Sequence, residues 1–270
     1  MEPIIRFDHV SKSFGKQAVL QDLSLDIAPG EFLTIIGRSG CGKTTALRLV
    51  NGLLTPDKGR VLVQGQDVSK ADPVALRRGI GYAIQSVGLF PHMTVEKNIA
   101  YVPSISGLPG WKGKERREKV NALLERVGLD PALAGRYPRA LSGGQRQRVG
   151  IARALAAGPE ILLMDEPFGA VDEITRGQLQ EEIRKIHHES GITILFVTHD
   201  IAEALKLSTR VLVLDQGTVQ QCDVPEEVLR HPTTEFVAKL VEQQRRTCFL
   251  PDEKLTDCEY SGAVSPPILT

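Results

Sequence analysis

One stretch of the sequence, residues 37–44, limits the possible folds of this chain more than any other. It reads GRSGCGKT and fits the pattern G-x-x-x-x-G-K-[ST], a loop whose backbone N–H groups surround a chain of phosphates. An apolar segment of strand length, Glu31–Ile36, precedes the loop, and apolar residues at helical spacing follow it. Such a helix N-terminus directs free N–H groups and the positive end of the helix dipole at an anion. We therefore expect an α/β fold with a phosphate site at this loop.

The residues of this loop would share the contacts to a nucleotide. Lys43 is expected to reach the β- and γ-phosphates, and the Thr44 hydroxyl is expected to hold Mg²⁺. The other positions that would line the phosphates are Gly37, Arg38, Ser39, Gly40, Cys41 and Gly42. The alternative is a glycine-rich turn beside an ordinary surface lysine. The motifs described next disfavour that alternative, because they need the same nucleotide.

Two carboxylates, Asp165 and Glu166, end a second apolar strand, Ile161–Met164. Mg²⁺ prefers oxygen ligands and keeps several waters, so Asp165 is expected to hold the ion through its water shell. Glu166 lies one residue further on, where a carboxylate can polarise the water that attacks the γ-phosphate. The alternative is that two acidic residues end a strand and have no catalytic role. The presence of Lys43 in the phosphate loop disfavours this alternative.

The segment Leu141–Gln145 reads LSGGQ and begins a helix with unfavourable residues. Ser142 can cap the helix, but Gly143 and Gly144 in its first turn each destabilise it by roughly 1 kcal/mol relative to alanine. These glycines make sense if a ligand must approach the helix end without meeting a Cβ atom. The segment therefore predicts a second anion-binding helix N-terminus, and hence two surfaces that meet one phosphate.

The pattern along the chain predicts one α/β domain with a helical insertion. The length of 270 residues suffices for one large domain or two small ones. Near-continuous apolar strands at 161–164 and 192–197 indicate a sheet that helices cover on both faces. From about 87 to 157 the strand signal is weak, so we expect a helical subdomain there, within a domain that covers residues 1–240. Residues 241–270 are expected to form a C-terminal tail, with disorder as the expected state.

Charge and cysteine usage narrow the class of protein. Lys+Arg and Asp+Glu both number 33, and this zero net charge argues against a nucleic-acid partner. We find no basic segment followed by an apolar signal and no apolar run that could cross a bilayer. Cys41, Cys222, Cys248 and Cys258 lack metal-ligand spacing and are expected to be reduced thiols of a cytosolic protein. A disulfide between Cys248 and Cys258 is the less favoured alternative.

Taken in order, these motifs resemble those of the ATP-binding-cassette (ABC) ATPases. Residues 37–44, 141–145 and 161–166 resemble the Walker A, signature and Walker B motifs of that family. The resemblance covers about residues 4–240. It implies a P-loop NTPase fold, in which a RecA-like core and an antiparallel β subdomain carry an inserted α-helical signature subdomain.

Four single residues also match positions of that family. Gln85 resembles the Q-loop residue, which implies contact with Mg²⁺ or the attacking water and with a transmembrane partner. His199 resembles the H-loop residue and would contact the γ-phosphate, while Asp172 resembles the D-loop residue and would link two sites across a dimer. Phe14 matches the aromatic residue that stacks on adenine, with a place in the apolar core as its alternative.

The resemblance implies that two copies of the chain bind nucleotide together. Each ATP, with Mg²⁺, would lie between Gly37–Thr45 of one copy and Ser142–Gln145 of the other, so Thr45 joins the expected nucleotide contacts. The competing class is a soluble cassette ATPase that acts on ribosomes or DNA. We disfavour that class because the chain has one cassette, no long coiled coil and no basic excess.

A second resemblance rests on less specific segments, at residues 84–95, 100–103 and 164–176. These segments resemble the quaternary-amine uptake subfamily, which imports glycine betaine, carnitine or choline. This resemblance implies permease partners, an indirect solute-binding protein and a place at the cytoplasmic face of the membrane. Val171 and Glu173 replace the more familiar D-loop residues, and the roughly thirty residues after the cassette are too few for the paired regulatory domains of many members. An importer of another solute and a separate-subunit exporter remain the alternatives.

Overall fold

The computed structural model describes residues 2–84, 88–169 and 171–247, and within these ranges it contains ten strands and ten α-helices. The strands are β1 Ile5–Phe14, β2 Gln17–Ile27, β3 Phe32–Ile36, β4 Lys58–Val63, β5 Gln66–Asp67, β6 Ile80–Ala83, β7 Ile161–Asp165, β8 Thr193–Val197, β9 Arg210–Asp215 and β10 Thr218–Asp223. The helices are α1 Lys43–Val50, α2 Pro73–Gly79, α3 Val95–Ile99, α4 Tyr101–Ile105, α5 Gly113–Arg126, α6 Gly143–Leu155, α7 Glu173–Ser190, α8 Ile201–Leu207, α9 Pro225–Arg230 and α10 Glu235–Thr247.

A six-stranded sheet in the order β10-β9-β3-β8-β7-β6 forms the centre of the molecule. Its neighbours from β9 to β6 pair in parallel, and β10 pairs antiparallel to β9. Every residue of β3, β7 and β8 is buried, as expected for strands whose two faces are both covered. Because these three strands are neighbours and run in parallel, the motifs that follow them lie at one edge of the sheet.

A second, antiparallel sheet has the order β2-β1-β4-β5. In its register, Ile5 of β1 is opposite both Ile27 of β2 and Val63 of β4. The buried side chains of this sheet share one apolar cluster with α1 and with one face of the central sheet, including Phe7, Leu47 and Leu163. This shared core holds the smaller sheet beside the phosphate loop.

The described part of the chain between β6 and β7 is helical, as the sequence predicts for about residues 87–157. It contains α3 to α6 and two 3-10 turns, Pro131–Gly135 and Pro138–Ala140. Thr94 caps α3, and Val120, Leu124 and Val149 form a buried cluster between the helices of this insertion. The predicted fold, an α/β core with an antiparallel β subdomain and a helical insertion, is therefore confirmed.

The predicted domain end at residue 240 falls within helix α10, Glu235–Thr247. Helix α10 continues to Thr247, because Val237 and Val241 stand one turn apart and are both fully buried beside α8 and α9. Residues 248–270, and with them Cys248 and Cys258, lie outside the described residues. Cys41 and Cys222 are free thiols. In the part of the chain that the structure describes, no helix has both the length and the apolarity to cross a membrane.

Candidate functional site

The phosphate loop leaves β3 at Gly37 and enters α1 at Gly42. Gly42 has φ +109°, and a Cβ atom there would lie 2.5 Å from the carbonyl oxygen of Val19. A Cβ atom on Gly37 would lie 1.9 Å from the carbonyl oxygen of Leu214. Glycine is needed at both positions because the loop backbone packs directly on β2 and β9. Contacts to two distant parts of the chain thus position the loop.

The ammonium group of Lys43 lies within this loop. Its Nζ donates hydrogen bonds to the carbonyl oxygens of Gly37 at 2.7 Å and Arg38 at 3.1 Å, and the residue is only 6% exposed. The positive charge is therefore held where the N–H groups of the loop and of the first turn of α1 also gather. Such a concentration of donors and positive charge is suited to a phosphate chain.

Thr44 and Asp165 bring two oxygen atoms together beside the loop. Thr44 Oγ1 donates a hydrogen bond of 3.0 Å to Asp165 Oδ1, and Asp165 is 5% exposed. Burial raises the pKa of Asp165, the Thr44 hydrogen bond opposes this change, and the nearby charge of Glu166 adds to it. A hydroxyl and a carboxylate are oxygen ligands of the kind Mg²⁺ prefers, so these residues fit that ion. Gln85, the third expected metal contact, lies outside the described residues.

Glu166 and His199 meet at the ends of β7 and β8. His199 Nδ1 lies 3.5 Å from Glu166 Oε1, and the backbone N–H of Glu166 donates to the carbonyl oxygen of Val197 at 2.9 Å. Glu166 has φ +46°, a left-handed conformation that costs about 1–3 kcal/mol for a residue other than glycine. The pairing of the two strands holds this backbone in place. The carboxylate and the imidazole therefore form one unit next to the phosphate loop.

The LSGGQ segment begins α6 with a complete capping box. Ser142 Oγ accepts a hydrogen bond from the Gln145 N–H at 3.2 Å, and the Ser142 N–H donates to Gln145 Oε1 at 2.9 Å. A Cβ atom on Gly144 would meet only ordinary contacts of 3.7 Å, to Val171 and Thr175. The chain itself therefore does not require glycine at position 144.

Within one chain, the LSGGQ segment and the phosphate loop are separate. Among residues 2–84, 88–169 and 171–247, no hydrogen bond or ion pair joins residues 37–45 to residues 142–145. Ser142 is exposed and Gly143 begins the helix of the insertion, whereas Thr45 belongs to α1 in the central core. The two predicted anion-binding helix ends thus belong to different parts of the molecule.

Asp172 and Phe14 lie on different elements, directly before α7 and at the end of β1. Asp172 caps α7 by accepting a hydrogen bond from the Thr175 N–H at 3.0 Å, and this bond lowers its pKa. Phe14 ends β1 and is 50% exposed, with Lys12 Nζ 5.7 Å from the centre of its ring. Phe14 therefore does not belong to the apolar core, and its ring is accessible to a ligand.

The structure also adds contacts to the phosphate loop that the motifs alone do not predict. Arg38 Cζ lies 4.9 Å from the centre of the Phe236 ring on α10, and Arg38 Nε lies 4.0 Å from Asp215 Oδ1. Phe236 is about two hundred residues from the loop in the sequence, so no local pattern could have indicated this contact. It joins the C-terminal helix to the phosphate loop.

Similarity to known proteins identifies the family of this chain. A family model described as "ABC transporter" matches residues 20–169. The chain belongs to the ABC transporter family. Among its ABC transporter relatives, the glycine betaine/carnitine/choline transport ATP-binding protein OpuCA of Bacillus subtilis is 47% identical over 251 residues. That match covers 92% of this chain and 65% of OpuCA, so the chain spans less than two thirds of the length of that relative.

Two further members of the ABC transporter family illustrate the similarity. The glycine betaine uptake system ATP-binding protein YehX of Escherichia coli is 47% identical over 234 residues, which cover 87% of this chain and 75% of YehX. A solved dimeric structure of the ATP-binding cassette MJ0796, bound to ADP and Pi, is 33% identical with a TM-score of 0.76. That similarity covers 82% of this chain and 98% of the MJ0796 chain.

Proposed function

We propose that two copies of this chain bind two ATP molecules between them and hydrolyse the ATP to drive solute import. The observation that carries the proposal is the capped helix end at Ser142–Gln145, which begins at the exposed Ser142 and has no hydrogen bond to the phosphate loop of its own chain. A Cβ atom on Gly144 would meet only van der Waals contacts of 3.7 Å, so the packing of the chain itself does not require glycine there. A second copy would bring this helix end against a nucleotide bound at Gly37–Thr45. The dimer reported for MJ0796 supports this arrangement.

Each group at the loop then has a defined task. Lys43 and the loop N–H groups bind the β- and γ-phosphates, and Phe14 stacks on the base. Thr44 and Asp165 would hold Mg²⁺, with Gln85 as a further proposed contact, and the bound ion would neutralise charge on the phosphates. In the closed dimer, Asp172 would link the two sites.

The carboxylate of Glu166 orients the attacking water and accepts its proton, and the imidazole of His199 helps to hold that carboxylate. ATP closes the dimer because its γ-phosphate completes contacts to the partner's helix end, contacts that ADP lacks. A ligand shifts a two-state equilibrium only through such a difference in affinity. Hydrolysis therefore reopens the dimer, and a docked permease would follow this motion.

The Glu166→Gln variant tests this mechanism. Loss of the base should stop hydrolysis while leaving ATP binding intact, so that ATP-bound dimers accumulate. Size-exclusion chromatography with light scattering should then give twice the 29.5 kDa mass of one chain. The matched control adds Lys43→Ala, which removes a phosphate contact and should return the variant to a monomer. A monomer of Glu166→Gln at saturating ATP would refute the two-copy mechanism.

The proposed cargo is a quaternary-amine osmoprotectant such as glycine betaine, carnitine or choline. The names of OpuCA and YehX support this cargo. The partners would be a membrane permease and a solute-binding protein, which place the chain at the cytoplasmic face of the membrane. Reconstitution with the permease and binding protein tests the cargo, since quaternary amines should stimulate ATP hydrolysis. Stimulation by an unrelated solute alone would leave an ABC importer of different cargo, and solute export would make the chain an exporter subunit.

A further inference from the structure

A buried polar network lies behind the turn that carries His199. Thr198 Oγ1 donates a hydrogen bond of 2.6 Å to Glu203 Oε2 and accepts one of 3.0 Å from the Asp200 N–H. Thr198 is 3% exposed and Glu203 is 6% exposed. The residues on both sides of His199 are thus held, directly or through the threonine hydroxyl, by one carboxylate on α8.

The second oxygen of the same carboxylate reaches helix α7. Gln180 Nε2 donates to Glu203 Oε1 at 3.5 Å, and Lys206 Nζ donates to Gln180 Oε1 at 3.4 Å. Gln180 is 7% exposed, so this contact is also buried. Helix α7 begins at Glu173, directly after its cap Asp172, the residue proposed to link the two sites. Glu203 therefore joins the His199 turn to the helix that follows Asp172.

A buried carboxylate that joins two helices carries a desolvation cost. Burial raises the pKa of Glu203, which shows that the site disfavours the charged form. Well-packed apolar residues of similar volume often stabilise such a site as well or better. Apolar residues cannot, however, accept hydrogen bonds from both the Thr198 hydroxyl and the Gln180 amide. The network therefore provides orientation, and the nearest group whose orientation matters is His199, 3.5 Å from Glu166.

We propose that Glu203 is a positioning residue for hydrolysis, because its carboxylate sets the place of His199 relative to Glu166 and ties that place to α7. The part of this inference that concerns hydrolysis rests on the proposed function. Glu203 does not touch the phosphate loop in the described contacts, so it should affect the chemical step and leave nucleotide binding alone.

Steady-state ATP hydrolysis by the full chain gives the first test. Glu203→Ala should lower kcat by roughly 10–100-fold, the loss expected when a catalytic group is displaced by about 1 Å, with the KM for ATP changed less than about twofold. Glu203→Gln keeps an oxygen acceptor for Thr198 and should recover most of the rate. The control Glu227→Ala removes a partly exposed carboxylate on neighbouring α9 and should match the wild type. Wild-type kcat in Glu203→Ala, or no recovery in Glu203→Gln, would overturn the proposal.

The Thr198→Val variant tests the route through the hydroxyl. It removes the donor to Glu203 and keeps the shape of the side chain, so it should lower kcat to a similar extent. The double variant with Glu203→Ala should be little worse than either single variant, because both remove the hydrogen bond from Thr198 Oγ1 to Glu203 Oε2. Losses that multiply would mean that the two residues act separately, which contradicts the proposed route.

A spectroscopic readout separates this inference from the proposed function. In protein labelled at histidine, the ring signals of His199 should shift or broaden in Glu203→Ala and return in Glu203→Gln. His187 serves as an internal control, since its Nε2 contacts the carbonyl oxygen of Gly30 at 2.9 Å, near the opposite end of α7. Unchanged His199 signals in Glu203→Ala would overturn the positioning role, even for a wild type that hydrolyses no ATP. Absence of wild-type hydrolysis would instead refute the proposed function.

Discussion

Replacing Asp165 by asparagine should stabilise the nucleotide-free protein at neutral pH while it abolishes Mg²⁺-dependent ATP hydrolysis. Asp165 is 5% exposed, and burial raises the pKa of its carboxyl above the ordinary value of 3.8. A raised pKa means that folding favours the protonated form. The stability from this group is therefore present below pH 3.8 and is lost as the pH rises through the folded-state pKa. At neutral pH the charged carboxylate weakens the fold relative to an uncharged amide.

The expected stabilisation depends on the shape and the hydrogen bond that asparagine preserves. Asparagine has nearly the same shape, and its carbonyl oxygen can accept the hydrogen bond that Thr44 Oγ1 now donates at 3.0 Å. The buried charge is then the main quantity that changes. A single stabilising substitution commonly contributes roughly 0.5–2 kcal/mol, and we expect removal of this buried charge to fall in that range. Because each kcal/mol moves the Tm of a domain of this size by about 2–4 °C, we expect a rise of about 1–8 °C.

Thermal unfolding in EDTA, without nucleotide, measures this difference from about pH 4 to about pH 8. The difference in Tm between Asp165→Asn and the wild type should increase as the pH rises. The matched control is Asp57→Asn. Asp57 accepts hydrogen bonds of 2.7 Å from Lys12 Nζ and from the Ser13 N–H, which lower its pKa.

The contribution of Asp57 is present above pH 3.8 and is lost as the pH falls, so Asp57→Asn should lower the Tm at neutral pH. The two variants should therefore move the Tm in opposite directions. An Asp165→Asn protein that melts at or below the wild-type temperature at neutral pH would refute the reasoning.

Two further predictions concern the loop and the base. Phe14→Ala should weaken ATP binding in calorimetry by roughly 1–3 kcal/mol, which is about 5–150-fold in Kd. The loss for GTP should be similar, because stacking tolerates any base. An unchanged Kd would show that Phe14 does not contact the nucleotide. Gly42→Ala should lower the free energy of unfolding in urea by at least about 1–3 kcal/mol, since φ is +109° and the new Cβ would lie 2.5 Å from the Val19 carbonyl oxygen. Gly40→Ala, which has positive φ but no atom within 4 Å of the new Cβ, should lose clearly less stability, and equal losses would contradict the packing argument.

The central α/β elements could be predicted because their signals are local. Helix α7 spans Glu173–Ser190, where apolar spacing marks its buried face and Asp172 supplies a cap. The strand, loop and α1 of the phosphate site follow for the same reason. Each of these elements is determined by residues within a few positions of one another.

Other features depend on contacts that no local pattern contains. Helix α10 passes the predicted boundary at 240 because Val241 is buried against helices α8 and α9. Arg38 meets Phe236 only because the fold brings α10 beside the loop. No local motif marks Glu203, and only the packing of α7 on α8 places its carboxylate behind His199.

By itself, the sequence determined the chemistry available to this chain, since GRSGCGKT, the carboxylates after β7 and the LSGGQ segment each carry their physical meaning in a few adjacent residues. Tertiary structure alone decided which of these groups meet. The parallel pairing of β3, β8 and β7 brings Lys43, Asp165, Glu166 and His199 to one edge of the sheet. The helical insertion places Ser142 apart from them. Parallel pairing joins strands that are distant in sequence, so the assembled site follows from the fold of the whole domain.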